Sequence, residues 1–251
     1  MPTHHWPDIP LMLDPHYTHP RLTALYDADS PWSQDRDFTL ALAGTTPIRI
    51  LDLGCGTGLL TTAYARGGHH VTGVDPALAM LDIARNRPGG DVVTWVQSTA
   101  QTYRSDARFD LIIMTGHAFQ ILLDDADITA ALATMQQHLA PAGRAVFDTR
   151  NPNYDWASEW MHDYALQTDD GPVHITRRSL YWQADMLTFE HQFHFADDVL
   201  TSRSTLRFLS AADITARIQD AGLKVQHLQG GWLNEDFAAN HSQEMAFTVT
   251  L

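Results

Sequence analysis

A chain of 251 residues with 44% hydrophobic content is long enough for one large domain, or for a domain carrying a substantial insertion. Its formal net charge of −14, with Lys224 the single lysine, makes DNA, RNA and anionic membrane surfaces poor partners, because these need clustered Lys and Arg. One cysteine, Cys55, excludes an internal disulfide framework and suits a reducing cytoplasm, and no apolar run approaches membrane-spanning length.

The opening stretch MPTHHWPDIPLMLDPHYTHP lacks the cationic and continuous apolar regions of a signal peptide, so a soluble cytoplasmic protein is expected. Residues 1–43 hold an aromatic cluster, with His16, Tyr17, Tyr26, Trp32 and Phe38, punctuated by Pro20 and Pro31, and read as a helical lead-in. Gly44-Thr45-Thr46-Pro47 marks the boundary into the next unit. Ile48, Ile50, Leu51 and Leu53 then make a short apolar run that meets Gly54-Cys55-Gly56-Thr57-Gly58. Leu59, Leu60 and Ala63 follow at helical spacing until Gly67-Gly68, and a second apolar run from Val71 to Val74 ends on Asp75. Strand, glycine turn, helix, strand and acid spell a mononucleotide-binding βαβ unit. Asp75, 21 residues after Gly54, stands where a carboxylate accepts both hydroxyls of a ribose. The dinucleotide fingerprint needs Gly or Ala at position 59; the chain has Leu59, and its third glycine comes one residue early.

Leu51-Asp52-Leu53-Gly54-Cys55-Gly56-Thr57-Gly58, with Val74-Asp75-Pro76 after it, closely resembles motif I and its acidic successor in the class I S-adenosylmethionine-dependent methyltransferases. The resemblance implies a Rossmann-like doubly wound sheet, mostly parallel with an antiparallel last strand. It implies S-adenosylmethionine as cofactor, with the Gly54, Cys55, Gly56 and Gly58 loop cradling the methionine part, Asp52 helping to hold the ammonium, and Asp75 with Pro76 at the ribose. In small-molecule members a segment like residues 1–43 folds over the cofactor as a lid, often with a pair such as Tyr26-Asp27; Tyr26 and Trp32 thereby become substrate candidates.

Beyond Pro76, the residues Ala77, Met80, Leu81 and Ala84 line one helix face up to Pro88-Gly89-Gly90, and a third strand is expected at Val92 to Val96. Its exit, Gln97-Ser98-Thr99-Ala100, takes the place where the resembled family has Gly-Asp-Ala, so Thr99 stands for the acid that reads the adenine amino group and the Ala100 N–H faces a ring nitrogen. Phe109 to Met114 is the fourth strand, leading into Thr115-Gly116-His117. Ligands sit outside the carboxyl ends of such strands, which places Met114 and Thr115 at the methionine part of the cofactor and makes His117 either a base or a backbone-bonded strut. Asp125 or Asp127 caps a helix with Ile128, Ala131, Leu132, Met135 and Leu139 inward, and Pro141-Ala142-Gly143 turns into a fifth strand, Ala145 to Thr149. Arg150 and Asn151 leave that strand at the substrate side.

Residues 153–205 read as an antiparallel β insertion with strands at His174 to Trp182, Leu187 to Phe195 and Leu200 to Phe208. In the resembled family such an insertion walls the substrate cavity; Arg177, Arg178, Arg203 and Arg207 can bind a substrate carboxylate or simply pair with acids. His191 and His194 point to opposite faces of a strand, so no metal is expected there. Residues 206–251 complete the core with a helix from Ser210 and two last strands, Leu223 to Leu228 and Glu244 to Leu251, leaving 44–152 as the cofactor-binding core. The expected function is methyl transfer to a small-molecule acceptor by a monomer or homodimer. The alternatives are a non-catalytic binder of S-adenosylmethionine or S-adenosylhomocysteine and an NAD-dependent oxidoreductase.

Overall fold

The computed structural model describes residues 13–251; the leader reading therefore lies in part outside the described residues. The chain enters through α1 (Pro15–Thr18), α2 (Pro20–Asp29) and α3 (Gln34–Ala41). Pro20 begins α2 because its missing N–H and preset φ suit the first helical turn, and the His19 ring accepts from the Arg21 N–H. The core follows as β1 (Arg49–Leu53), α4 (Leu59–Arg66), β2 (His70–Asp75), α5 (Leu78–Arg85), β3 (Thr94–Gln97), β4 (Phe109–Met114), α6 (Asp125–His138) and β5 (Leu139–Arg150). Then come α7 (Trp156–Glu159) and the antiparallel strands β6 (His162–Thr168), β7 (Gly171–Gln183), β8 (Met186–His194) and β9 (Val199–Arg207). The chain closes with α8 (Ala211–Asp220), β10 (Lys224–Gln229) and β11 (Glu244–Thr250).

The core sheet runs β10-β11-β5-β4-β1-β2-β3, parallel except where β11 lies antiparallel to both β5 and β10. Helices cover both faces, which is why β1 reads as a nearly continuous apolar run rather than an alternating one. Leu51 and Leu53 pack with Met135, Ile214 and Phe247 on one side, and Ile50 packs with Leu60 and Tyr64 on the other. The strand order reverses at β1, with β4 on one flank and β2 on the other, so the crevice at their carboxyl ends is the expected ligand position. The second sheet runs β6-β7-β8-β9.

Four expectations change. The insertion has four strands, because β6 grows out of a stretch that the sequence offers only as aromatic landmarks. Gly90–Val92 forms a 3-10 turn, so the third strand starts at Thr94. Pro141-Ala142-Gly143 is a bulge inside β5 rather than a turn before it: the register with β4 jumps from Phe109↔Leu139 to Leu111↔Arg144. The cap of α6 is Asp124, whose carboxylate accepts the Asp127 N–H at 2.7 Å, while Asp125 and Asp127 occupy the first turn.

The N-terminal segment bridges the two sheets. Tyr164 donates to Asp29 at 2.6 Å and the His16 N–H donates to Ser202 Oγ at 3.1 Å, both on the second sheet. On the core side, Thr57 Oγ1 donates to Asp27 at 2.5 Å, and Arg87 binds Asp27 while its Nε–H reaches the Thr57 carbonyl at 3.0 Å.

Candidate active site

The glycine turn after β1 is built from left-handed backbone: φ is +77° at Gly54, +54° at Gly56 and +74° at Gly58. At Gly58 a Cβ would also sit 2.7 Å from the Trp95 ring and 2.9 Å from Ala84 Cβ, so helix α4 and the α5–β3 side close together only over glycine. The Gly54 and Cys55 N–H groups both donate to the Val74 carbonyl, at 2.8 and 3.1 Å. Asp75 holds the rest, accepting the Gly56 N–H and the Ala77 N–H at 2.8 Å each on different oxygens. Burial raises the Asp75 pKa and these two backbone bonds oppose the rise.

Two cavities open along this turn, and a third adjoins them. One of about 320 Å³ runs past Gly54, Gly56, Asp75 and Pro76 on one wall, and past Thr99, Ala100, Met114 and Thr115 on the other. A small recess of about 60 Å³ lies behind the loop and is lined by Asp52, Cys55, Thr57, Asp35 and Arg36. Asp52 accepts from Thr61 Oγ1 at 2.6 Å; burial pushes its carboxyl up to about 7, with the nearby Asp75 charge adding to the effect and the Thr61 bond opposing it. Burial likewise lifts the Cys55 thiol well above its usual value, which makes it wall rather than nucleophile. The third cavity, about 790 Å³, lies between the core and the second sheet. It meets the first at Tyr17, Tyr26, Gly116 and Ile121, which line both.

His117 stands at that junction in left-handed backbone, φ +62°, directly after Gly116 at φ +68°. This conformation is costly for a non-glycine residue and is held by its surroundings: the His117 N–H donates to Asp148 Oδ2 at 2.9 Å. The ring Nε2 lies 2.8 Å from Glu244 Oε2 and 3.5 Å from Asp148 Oδ2. Burial raises Asp148 to about 6 and His117 pulls it back; Glu244 is lowered, its own burial outweighed by His117 and Arg150. The ligand-capable atoms of His117, Asp148 and Glu244 lie within 4.8 Å of one another, a grouping that the sequence search for metal ligands at His191 and His194 passed over.

Most sequence-derived candidates line these cavities, and three do not. Gly58 acts through the backbone, as the N-cap of α4. Trp32 is 38% exposed, bonded to Asp37 at 2.7 Å, and lies outside all three cavities. Asn151 is buried with its amide donating to the Ala239 and Ser242 carbonyls at 2.8 and 2.6 Å; it clamps the loop before β11 and offers nothing to a substrate. Thr99 spends its hydroxyl on Thr102, 2.8 Å away. Residues that sequence reasoning missed are Tyr17, Arg36, Gln101 and Glu244: their neighbours in the site come from distant parts of the chain, and only the relation of Glu244 to β5, register Glu244↔Arg150, brings it to His117.

Comparison with known proteins agrees with this geometry. Residues 50–143 match a methyltransferase domain family. The cypemycin N-terminal methyltransferase of a Streptomyces species is 27% identical over 209 residues, 78% of this chain and 80% of that protein. A ubiquinone biosynthesis O-methyltransferase from Aromatoleum aromaticum is 31% identical over 114 residues, and the chain spans about half the length of that relative (48%). The fold superposes on an S-adenosylmethionine-bound amino pentose methyltransferase from Micromonospora echinaspora with a TM-score of 0.67 at 24% identity, over 90% of this chain and 94% of the other. The glycine turn, the buried Asp75 and the reversal of strand order at β1 thus lie in a chain whose residues 50–143 match a methyltransferase domain and whose fold is that of S-adenosylmethionine-dependent methyltransferases.

Proposed function

We propose that the 60 and 320 Å³ cavities take the methionine and adenosine parts of S-adenosylmethionine, and that the 790 Å³ cavity takes a small-molecule acceptor presenting an amine or hydroxyl. The observation that carries this reading is the shared lining of the two larger cavities by Tyr17, Tyr26, Gly116 and Ile121, which is where a methyl group must cross from one to the other. The cofactor supplies an activated methyl on a sulfonium leaving group. The residues fit it: Asp75 keeps unused lone pairs towards the cavity, Asp52 is a buried carboxyl suited to an ammonium, and Arg36 is the one cation among the residues lining the recess. Gln101 can stand in at the adenine edge for the acid that Thr99 replaces.

The protein's part is chiefly alignment and exclusion of water. Tyr17 and Tyr26 roof the crossing point, and burial raises both phenols, Tyr26 to about 12, so they act as neutral walls and hydrogen-bond donors. With its Nε2–H donated to Glu244, His117 keeps Nδ1 free to take a proton from the acceptor, and the carboxylate then stabilises the imidazolium. An amine acceptor needs only to arrive neutral; a hydroxyl needs this base. A cytoplasmic location belongs to the same proposal and rests on the lone Cys55.

The test is methyl transfer over a panel of amine and hydroxyl acceptors, with wild type and His117→Ala. Base catalysis typically contributes about 10²–10⁴-fold, so hydroxyl transfer falls by that order while cofactor affinity holds. Equal rates in the variant remove His117 from the chemistry. The grouping within 4.8 Å admits a second reading, a divalent cation in place of the shared proton; loss of transfer in EDTA with recovery on adding Mg²⁺ selects it.

A further inference from the structure

The inward face of the second sheet carries a polar row where its strands otherwise alternate towards an apolar core. Across the four strands the register runs His162↔Arg177, Arg177↔His191 and His191↔Ser202. Two positions along, the same face shows Tyr164, Ile175, Phe193 and Leu200, packed with Leu22 and Leu25. On the other side Trp160, Phe189, Leu206 and Phe208 form a second apolar cluster. Residue 177 shares the face of Val173 and Ile175, both almost fully buried, so alternation calls for an apolar side chain there. A guanidinium sits in its place.

Among the described residues, Arg177 is the one arginine of this sheet that forms no ion pair. Arg178 pairs with Asp163 at 2.7 Å, Arg203 with Glu190 at 2.9 Å, and Arg207 with Asp125 and Asp185 at 2.7 Å each. Among the described residues no carboxylate lies within ion-pair distance of Arg177, and its buried Nε–H has no partner. Arg150 reaches the same place from the end of β5, bonded to Gln120 at 3.0 Å and likewise without an ion pair among the described residues. Both guanidinium groups lie over the Trp160 ring, 4.3 Å away for Arg177 and 4.8 Å for Arg150. Burial, together with the neighbouring Arg150 charge, lowers the Arg177 pKa to about 10. Two more buried nitrogens lack partners here, His191 Nε2 and His16 Nδ1. His16, Arg150, Arg177 and His191 all line the 790 Å³ cavity.

Buried donors without acceptors are costly, and two like charges over one ring more so; a ligand that accepts from all of them would remove the cost. We propose that Arg150 and Arg177, flanked by His16 and His191, form an anion-binding subsite, so that the methyl acceptor carries a carboxylate or phosphate group held at this row. The inference rests on the assignment of this cavity to the acceptor. Because the protein's net charge repels anions at long range, the selectivity must come from these local donors.

The probe experiment is thermal unfolding of the protein loaded with S-adenosylhomocysteine and titrated with inorganic phosphate or malonate, against sodium chloride at matched ionic strength. The expected result is a saturable rise in wild type with at least one anion beyond that with chloride, retained in Arg178→Gln, whose arginine is paired, and lost in Arg177→Gln. The anion that gives the larger rise distinguishes phosphate from carboxylate. No anion-specific rise, or an equal rise in Arg177→Gln, overturns the proposal. The shift from S-adenosylhomocysteine alone, read in every variant, reports folding and the cofactor site separately, so loss of the methyltransferase reading and loss of this one give different results. In an acceptor screen, substrates carry the anionic group, and Arg177→Gln raises KM roughly tenfold more than it lowers kcat, the scale of one charge-assisted contact. Turnover confined to uncharged acceptors also overturns it.

Discussion

Asp75 binds its own loop through one lone pair on each oxygen and presents the others to the cavity. Removing it therefore costs a ligand contact and loosens the turn. Asp75→Asn, which keeps the shape, is expected to weaken S-adenosylmethionine binding about tenfold or more, in line with about 1.5–3 kcal/mol for charge-assisted bonds, and Asp75→Ala more. Calorimetry on the two variants checks both, and unchanged affinity in either removes Asp75 from the cofactor contact. Asp52 predicts a pH dependence. Its folded pKa, about 7, lies above the unfolded value of 3.8, so its contribution to the stability of the free protein is full below about pH 4 and is lost as pH rises through 7. A bound ammonium favours the carboxylate, so cofactor affinity should rise with pH, by up to about tenfold per unit below 7, and level off above it. Titration calorimetry from pH 6 to 8.5 should show that slope in wild type and a flat line in Asp52→Asn.

At the scale of elements, the glycine turn joins α4 to the α5–β3 side with no room for a methyl group. Gly58→Ala asks for a left-handed alanine, about 1–2 kcal/mol, and for displacement of Trp95 and Ala84. A fall in Tm of roughly 4 °C or more is expected; an unchanged Tm would show that Trp95 swings aside freely. This turn was legible from eight consecutive residues because its constraints are local. The fifth strand was legible in part: Ala145 to Thr149 shows as an apolar run, whereas its earlier half, including the Pro141-Gly143 bulge, is held in the strand by pairing with β4 and carries ordinary turn residues. β6 was missed for a similar reason. Its residues alternate only weakly between exposed and half-buried, and what makes them a strand is the long partner β7.

On the scale of the whole molecule, the two sheets and the N-terminal helices enclose a site to which no single element contributes more than a wall. A ligand at one hundred times its dissociation constant adds about 2.7 kcal/mol. For a domain of this size that is a rise of roughly 5–10 °C in Tm. S-adenosylmethionine and S-adenosylhomocysteine should each give it and NADH should give none; a rise with NADH would contradict the nucleoside selectivity attributed to the Gly54–Gly58 turn.

The order of strands and helices in the core, the glycine turn and the spaced Asp75 follow from runs of neighbouring residues, since periodicity, turn chemistry and short loops act over a few positions. Tertiary structure alone decided which polar residues are free to act. Asn151 looked available in sequence and is consumed by the loop before β11, while Glu244 looked like a strand end and is delivered to His117 by sheet register. Four arginines of the insertion were equivalent as letters; three met acids across strands or turns, and Arg177 was turned inward by strand parity onto Trp160, where no carboxylate among the described residues comes within ion-pair distance. Partnership of charges depends on distances between segments far apart in the chain, and those distances exist only once the sheets have formed.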